Sequence, residues 1–191
     1  MPLIEEAPEL STHDRQTLLE FALRAIERGL AGDRLKVKPE EFSTALQAQG
    51  ASFVTIRLER QLRGCIGTLE AQHALISDVV SNAYSAAFRD PRFPALTHAE
   101  FRMLEVHISV LSEPQPMVVV SEADLLAQLR PGIDGLVLEE GYHRGTFLPA
   151  VWEQLSEPRE FVRHLKRKAG LPADYWSPAL RVSRYTVQSV P

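Results

Sequence analysis

Apolar and polar positions alternate along residues 51–59, with Val54, Ile56 and Leu58 on one side and Thr55, Arg57 and Glu59 on the other. That two-residue period predicts a strand with one buried face. A polar turn at Glu59-Arg60-Gln61 returns the chain as a second strand over residues 62–69, so the pair reads as a β-hairpin. Upstream, Leu18, Ala22, Ala25 and Ile26 recur at helical spacing within residues 11–28. Ser11 and Asp14 form an S-x-x-D cap at one end of that helix, and Gly29 is placed to end it at the other. Downstream, Leu75, Ile76, Val79, Val80, Ala83 and Ala87 predict a helix that stops near Arg89, because Asp90 precedes Pro91. Asp90-Pro91-Arg92-Phe93-Pro94 is then a stiff connector.

The second half uses similar parts. Leu104, Val106, Ile108 and Val110 alternate with Glu105, His107 and Ser109, and Glu113-Pro114-Gln115-Pro116 ends that strand. Ser121 and Asp124 cap a short helix. Residues 135–139 and 144–148 flank Glu140-Gly141-Tyr142-His143 as a second hairpin, and Pro149 opens a short helix containing Trp152. Phe161, Val162, Leu165 and Ala169 share one face of a helix over 158–169 that closes at Gly170, and the last strand is expected over 180–187. Each half offers strands, a hairpin and helices, without a strict sequence repeat. The expectation is one α+β domain over residues 1–191, with two interlocked lobes, about 11–100 and 101–191, as an option within it.

Composition narrows the classes. A chain of 191 residues with 45% hydrophobic and 24% charged positions can bury one good core or two small conjoined ones. A net charge of -4 and a pI near 5.9 give no whole-protein field for a polyanion, so nucleic acid is not the default partner. The single cysteine excludes an intramolecular disulfide and fits a reducing compartment. The first six residues lack the parts of a signal peptide, and no apolar run nears the length of a membrane span. A cytoplasmic protein without a membrane partner is the simplest expectation.

The run Leu62-Arg63-Gly64-Cys65-Ile66-Gly67-Thr68 places the only cysteine, an arginine and two glycines within a strand. Glycine weakens a strand, so the pair suggests a bulge or a close approach by another group. This run resembles the signature of the AMMECR domain family, whose prokaryotic members are called AmmeMemoRadiSam system protein A. Asp90-Pro91-Arg92-Phe93-Pro94, residues 105–111, Gly132-Ile133-Asp134-Gly135-Leu136, Phe147-Leu148-Pro149 and Lys168-Ala169-Gly170-Leu171 resemble that family's other blocks in the same order. The resemblance implies an α+β fold in which two related strand-and-helix halves form one barrel-like mixed sheet with flanking helices. It also implies a modification pathway shared with Memo-like and radical-SAM proteins, whose reaction it does not name.

Cys65 is the first candidate for chemistry, because a thiolate is a strong nucleophile when a positive neighbour or backbone donors favour it. The plainer alternative is a small hydrophobe in a packed strand. His107 is a candidate base for Cys65 if their strands are neighbours, and otherwise a half-exposed strand residue; many relatives are expected to carry a small or hydroxyl residue there. Arg63, Arg57 and Arg144 are candidates for gripping a substrate carboxylate or phosphate, against the alternative of solvated strand charges. Gly64, Gly67 and Thr68 would let substrate approach the backbone. Asp90 and Arg92 read as a local pair bracing the turn. Arg159, Arg163, Lys166, Arg167 and Lys168 make one helix basic, either as an anion or RNA surface or as the wet face of an amphipathic helix.

The six histidines are scattered without metal-ligand spacing, and Gly64-x-x-Gly67 lacks the endings of a nucleotide loop, so neither metal nor cofactor is expected. The leading expectation is an enzyme or enzyme subunit with its substrate near residues 63–68. The alternative is a noncatalytic scaffold that shows the same surface to Memo-like or radical-SAM partners.

Overall fold

A computed structural model describes residues 9–191. Ser11 caps the first helix, α1 (Thr12–Leu30): its Oγ accepts from the Asp14 amide, while the Asp14 carboxylate accepts from the Ser11 amide. The helix runs through Gly29 and ends at Ala31, so Gly29 is not its stop signal. A Cβ at Gly29 would lie 2.2 Å from the Phe88 ring, and that close approach is why glycine stands there. A 3-10 turn at Pro39–Glu41 and the short α2 (Thr44–Gln47) lead into β1 (Gln49–Leu58).

The hairpin partner is β2 (Gln61–Gly67), reached through Glu59 at φ 50° and Arg60 at φ 65°. Two positive φ values match the twist of paired strands. The two-residue β3 (His73–Ala74) precedes α3 (Leu75–Phe88), and α4 (His98–Phe101) precedes β4 (Leu104–Leu111). The first sheet has the order β2-β1-β4-β9, where β9 is Val187–Val190, and β3 lies beside β1. Alternation on the strands decides what is buried. Val54 and Ile56 of β1 and Val106 and Ile108 of β4 pack against Leu18, Ala22 and Ile26 of α1 and Ile76, Val79 and Ala83 of α3. Removing each of the larger side chains from water contributes about 1.5–3 kcal/mol.

The chain then builds a second sheet, in the order β5-β8-β6-β7. Its strands are β5 (Gln115–Pro116), β6 (Gly135–Glu140), β7 (His143–Phe147) and β8 (Arg181–Tyr185), with α5 (Glu122–Gln128), a 3-10 turn at Pro149–Glu153 and α6 (Pro158–Lys168) between them. Trp152 stacks on Phe161 at 3.8 Å between ring centroids, and its Nε1 donates to the Asp134 carbonyl at 2.7 Å. Leu125, Leu136, Leu138, Leu165 and Val182 complete that core.

The architecture is α+β, with six α-helices among the described residues. The strands divide into two sheets instead of the single barrel-like sheet that the resemblance implied, and the pairings of the described residues do not join them. Contacts separate residues 9–112 with 188–191 from residues 113–187. The division falls after 112 and not near 100, because β4 pairs with β1 along its whole length. The expected strand over 180–187 is two strands in two sheets, parted at Thr186. Gln115-Pro116, read as a terminator, is itself a short strand against β8.

Candidate functional site at the Cys65 strand

Strand β2 lies at the edge of its sheet, and its register against β1 shifts between Ile56 and Arg57. Gly64 opposes Ile56 and Leu62 opposes Arg57, which leaves Arg63 unopposed as the extra residue of a bulge. Both glycines of the run are required by packing. A Cβ on Gly64 would lie 2.1 Å from the Ala86 carbonyl oxygen of α3, and one on Gly67 would lie 2.2 Å from the Phe53 ring. The room expected for substrate beside these glycines is filled by the protein itself.

Arg63 is buried, and its guanidinium is engaged. Nε donates to Glu100 Oε1 at 2.8 Å, and Nη2 donates to the Pro94 carbonyl at 2.9 Å and to Glu100 Oε2 at 3.3 Å. The Arg63 hydrogen bonds lower the Glu100 carboxyl to about 2 against the opposing effect of burial. Glu100 also completes the capping box of α4 with Thr97, so the anion that Arg63 grips is structural. Arg63 Nη1 is buried without an acceptor.

The connector predicted from Pro91 and Pro94 closes the free edge of β2. Asp90 is buried; its Oδ2 accepts from the Cys65 amide at 2.9 Å and from Arg92 Nη2 at 2.7 Å, while Oδ1 accepts from Arg92 Nε at 2.9 Å. Arg92 Nη2 also reaches the Cys65 carbonyl at 3.4 Å. The hydrogen bonds from Arg92, then those from the Cys65 and Arg92 amides, hold the Asp90 carboxyl well below the usual carboxylate range despite its burial. This pair braces its turn, as expected, and also fixes the backbone of Cys65 on both sides.

The Cys65 side chain is half-buried, with Sγ 3.3 Å from Thr55 Oγ1. Thr55 opposes Cys65 in β2 and His107 in β4, so the three side chains lie in a row on the sheet face opposite Val54 and Ile56. His107 is not the direct base for Cys65 that neighbouring strands would have made it. Strands β2 and β4 flank β1, which sets the two residues about two strand spacings, roughly 9–10 Å, apart. Burial lowers the pKa of His107, and the Arg57 charge adds to that. Arg57 thus belongs to this face, whereas Arg144 lies in the 113–187 unit and pairs with Glu139 at 3.1 Å.

Thr68 turns away from the thiol. Its Oγ1 donates to Asp78 Oδ1 at 2.7 Å, and Asp78 Oδ2 accepts from Ser52 Oγ at 2.6 Å and Asn82 Nδ2 at 3.0 Å. Burial raises the Asp78 pKa against these donors. The sequence reading missed Asp78 and Asn82; the available signal was a polar pair one turn apart within the apolar stripe of α3. Lys166, read as part of a wet basic face, is fully buried and donates to Glu122 at 2.6 Å. Among the described residues no group of three or more His, Cys, Asp or Glu could hold a metal, and no helix is long and apolar enough to cross a membrane.

Similar proteins place this geometry in a family. A protein of Methanothermobacter thermautotrophicus is 38% identical over 181 residues, covering 94% of each chain. One of Thermotoga maritima is 32% identical over 174 residues, 89% of this chain and 94% of the relative. The crystal structure of the uncharacterized protein PH0010 from Pyrococcus horikoshii is similar, with a TM-score of 0.84 at 30% identity over 91% of this chain and 88% of that one. The AMMECR1 family model matches residues 19–190, and the chain belongs to the AMMECR1 family.

Proposed function

We propose that this protein is a cytoplasmic enzyme, or an enzyme subunit, of a modification pathway that includes Memo-like and radical-SAM proteins, and that its substrate lies on the face of Thr55, Cys65 and His107. One observation carries this reading. The Cys65 backbone is clamped by Asp90 and Arg92, while its thiol stays half-exposed beside a hydroxyl. The clamp holds in place the strand that presents the thiol. Thr55 lies on the strand between those of Cys65 and His107, and its hydroxyl is 3.3 Å from Sγ, within reach of the thiol proton. Arg57, on the same face, is the cation available to an anionic substrate group. Arg63 is not, because Glu100 already occupies it.

The test is alkylation of Cys65 by iodoacetamide as a function of pH, in the folded protein and in urea. We expect faster reaction in the folded chain than in urea at neutral pH, and a slower reaction in Thr55→Val. Protection of the folded thiol at every pH would sink the catalytic reading. The protein would then be better described as a scaffold for the same partners.

A further inference from the structure

On the helical side of the first sheet, the segment after α1 and the outer face of α3 enclose a pocket of about 330 Å³ that the Cys65 chemistry does not use. We propose that this pocket binds a small organic phosphate monoester. Its volume suits a small molecule and not a macromolecule.

Residues 34–37 alternate, with Leu35 and Val37 half-buried and Arg34 and Lys36 exposed, and all of them line the pocket. Ser77, Val80, Ser81 and Tyr84 face them from positions i, i+3, i+4 and i+7 of α3, which form one helix face. The base is therefore apolar, the wall carries two hydroxyls and a phenol, and the rim carries two cations. Arg34 stacks on Tyr84, with its guanidinium carbon 4.2 Å from the ring centroid. Such stacking steadies a guanidinium while leaving its N–H edge able to donate. Arg89 approaches the same ring at 5.6 Å, adding a third positive charge nearby.

Charge complementarity selects the occupant. Among the described residues no ion pair engages Arg34, Lys36 or Arg89, and the pocket has no acidic lining. Arg63, Arg92, Arg130 and Lys166, by contrast, each have a carboxylate. Against a net charge of -4, a cluster of unneutralised cations over an apolar base calls for an anion with an apolar body. Two cations match the double charge of a phosphate dianion better than the single charge of a carboxylate.

The experiment is an NMR titration of the full chain with phenyl phosphate, compared with benzoate and benzyl alcohol. We expect saturable shifts in residues 34–37 and 77–84 with a Kd below about 1 mM for phenyl phosphate, and binding about tenfold weaker for both comparators. The double substitution Arg34→Ala and Lys36→Ala removes exposed side chains, so the melting temperature should hold while affinity falls at least about tenfold. Lys38→Ala, outside the pocket, should leave binding unchanged. Absence of saturable shifts, or equal affinity for benzyl alcohol, would overturn the site; equal affinity for benzoate would overturn the phosphate assignment. None of these outcomes depends on Cys65.

Discussion

In the β1–β2 hairpin the returning strand lies at a sheet edge and brings Gly64 under the Ala86 carbonyl of α3. In the β6–β7 hairpin the returning strand also lies at an edge, and it brings Gly145 against the backbone of Ala169 beyond α6. The shared solution is a strand glycine that lets a helix backbone come close. The finishing of the two edges differs. Lys168 Nζ donates to the Thr146 carbonyl at 2.9 Å, so a flexible amine covers part of the β7 edge. On β2 a buried carboxylate takes the Cys65 amide while an arginine reaches its carbonyl. Glycines within a motif are therefore poor evidence for a substrate site, because a hairpin without the thiol needs one too. The ionic clamp on the cysteine is what sets the first hairpin apart.

The largest effect should come from the glycines themselves. Gly64→Ala sets a Cβ against backbone oxygen at 2.1 Å and should cost more than about 3 kcal/mol in urea unfolding. Gly145→Ala meets Ala169 atoms at 2.9–3.0 Å and should cost less, about 1–2 kcal/mol. Equal costs would mean that the two approaches are not ranked by their contact distances.

Next in size is the clamp. Asp90→Asn should lower stability at neutral pH by about 2–3 kcal/mol through its charged hydrogen bonds. The folded pKa values of Asp90 and Glu100 lie below their unfolded ones. Their contribution is therefore complete above about pH 4.5 and is lost as pH falls, for Glu100 toward about 2. Acid titration of stability should be shallower below about pH 4.5 in Asp90→Asn and in Glu100→Gln than in the parent. An unchanged slope in both would remove the clamp as the distinction between the hairpins.

The smallest effect belongs to the row beside the thiol. His107 has a folded pKa below its unfolded value, so the neutral ring is favoured by folding. Its contribution is present above about pH 6.5 and declines as pH falls below that. His107→Gln should remove this modest decline, as read from melting temperatures between pH 7.5 and 5.5. Persistence of the decline would assign it to another group.

Periodicity carried most of the elements, because burial on one face leaves a visible spacing. Val54 and Ile56 announced β1, and Leu75 to Ala87 announced α3, almost to their ends. It failed where one run crosses two environments: residues 180–187 read as one strand, although the chain passes from β8 to β9 at Thr186. The site was half legible. Cys65 and the Asp90–Arg92 pair could be picked out as local features. The occupation of Arg63 could not, since Glu100 lies 37 residues away and only the tertiary fold brings them together. His107 was placed on the right kind of strand, but strand order decides which residues touch.

Strand β9 sits beside β4, yet residues 112–186 separate them in the chain. Arg15 and the Leu10 amide in turn bond to residues 188 and 189, tying the start of α1 to the same late segment. During synthesis the first sheet emerges early but keeps the outer edge of β4 bare until the entire intervening unit has been made. A bare strand edge is a template for pairing with another chain. The hazard of this topology is thus set by the rate of translation, and a pause within residues 112–186 would prolong it.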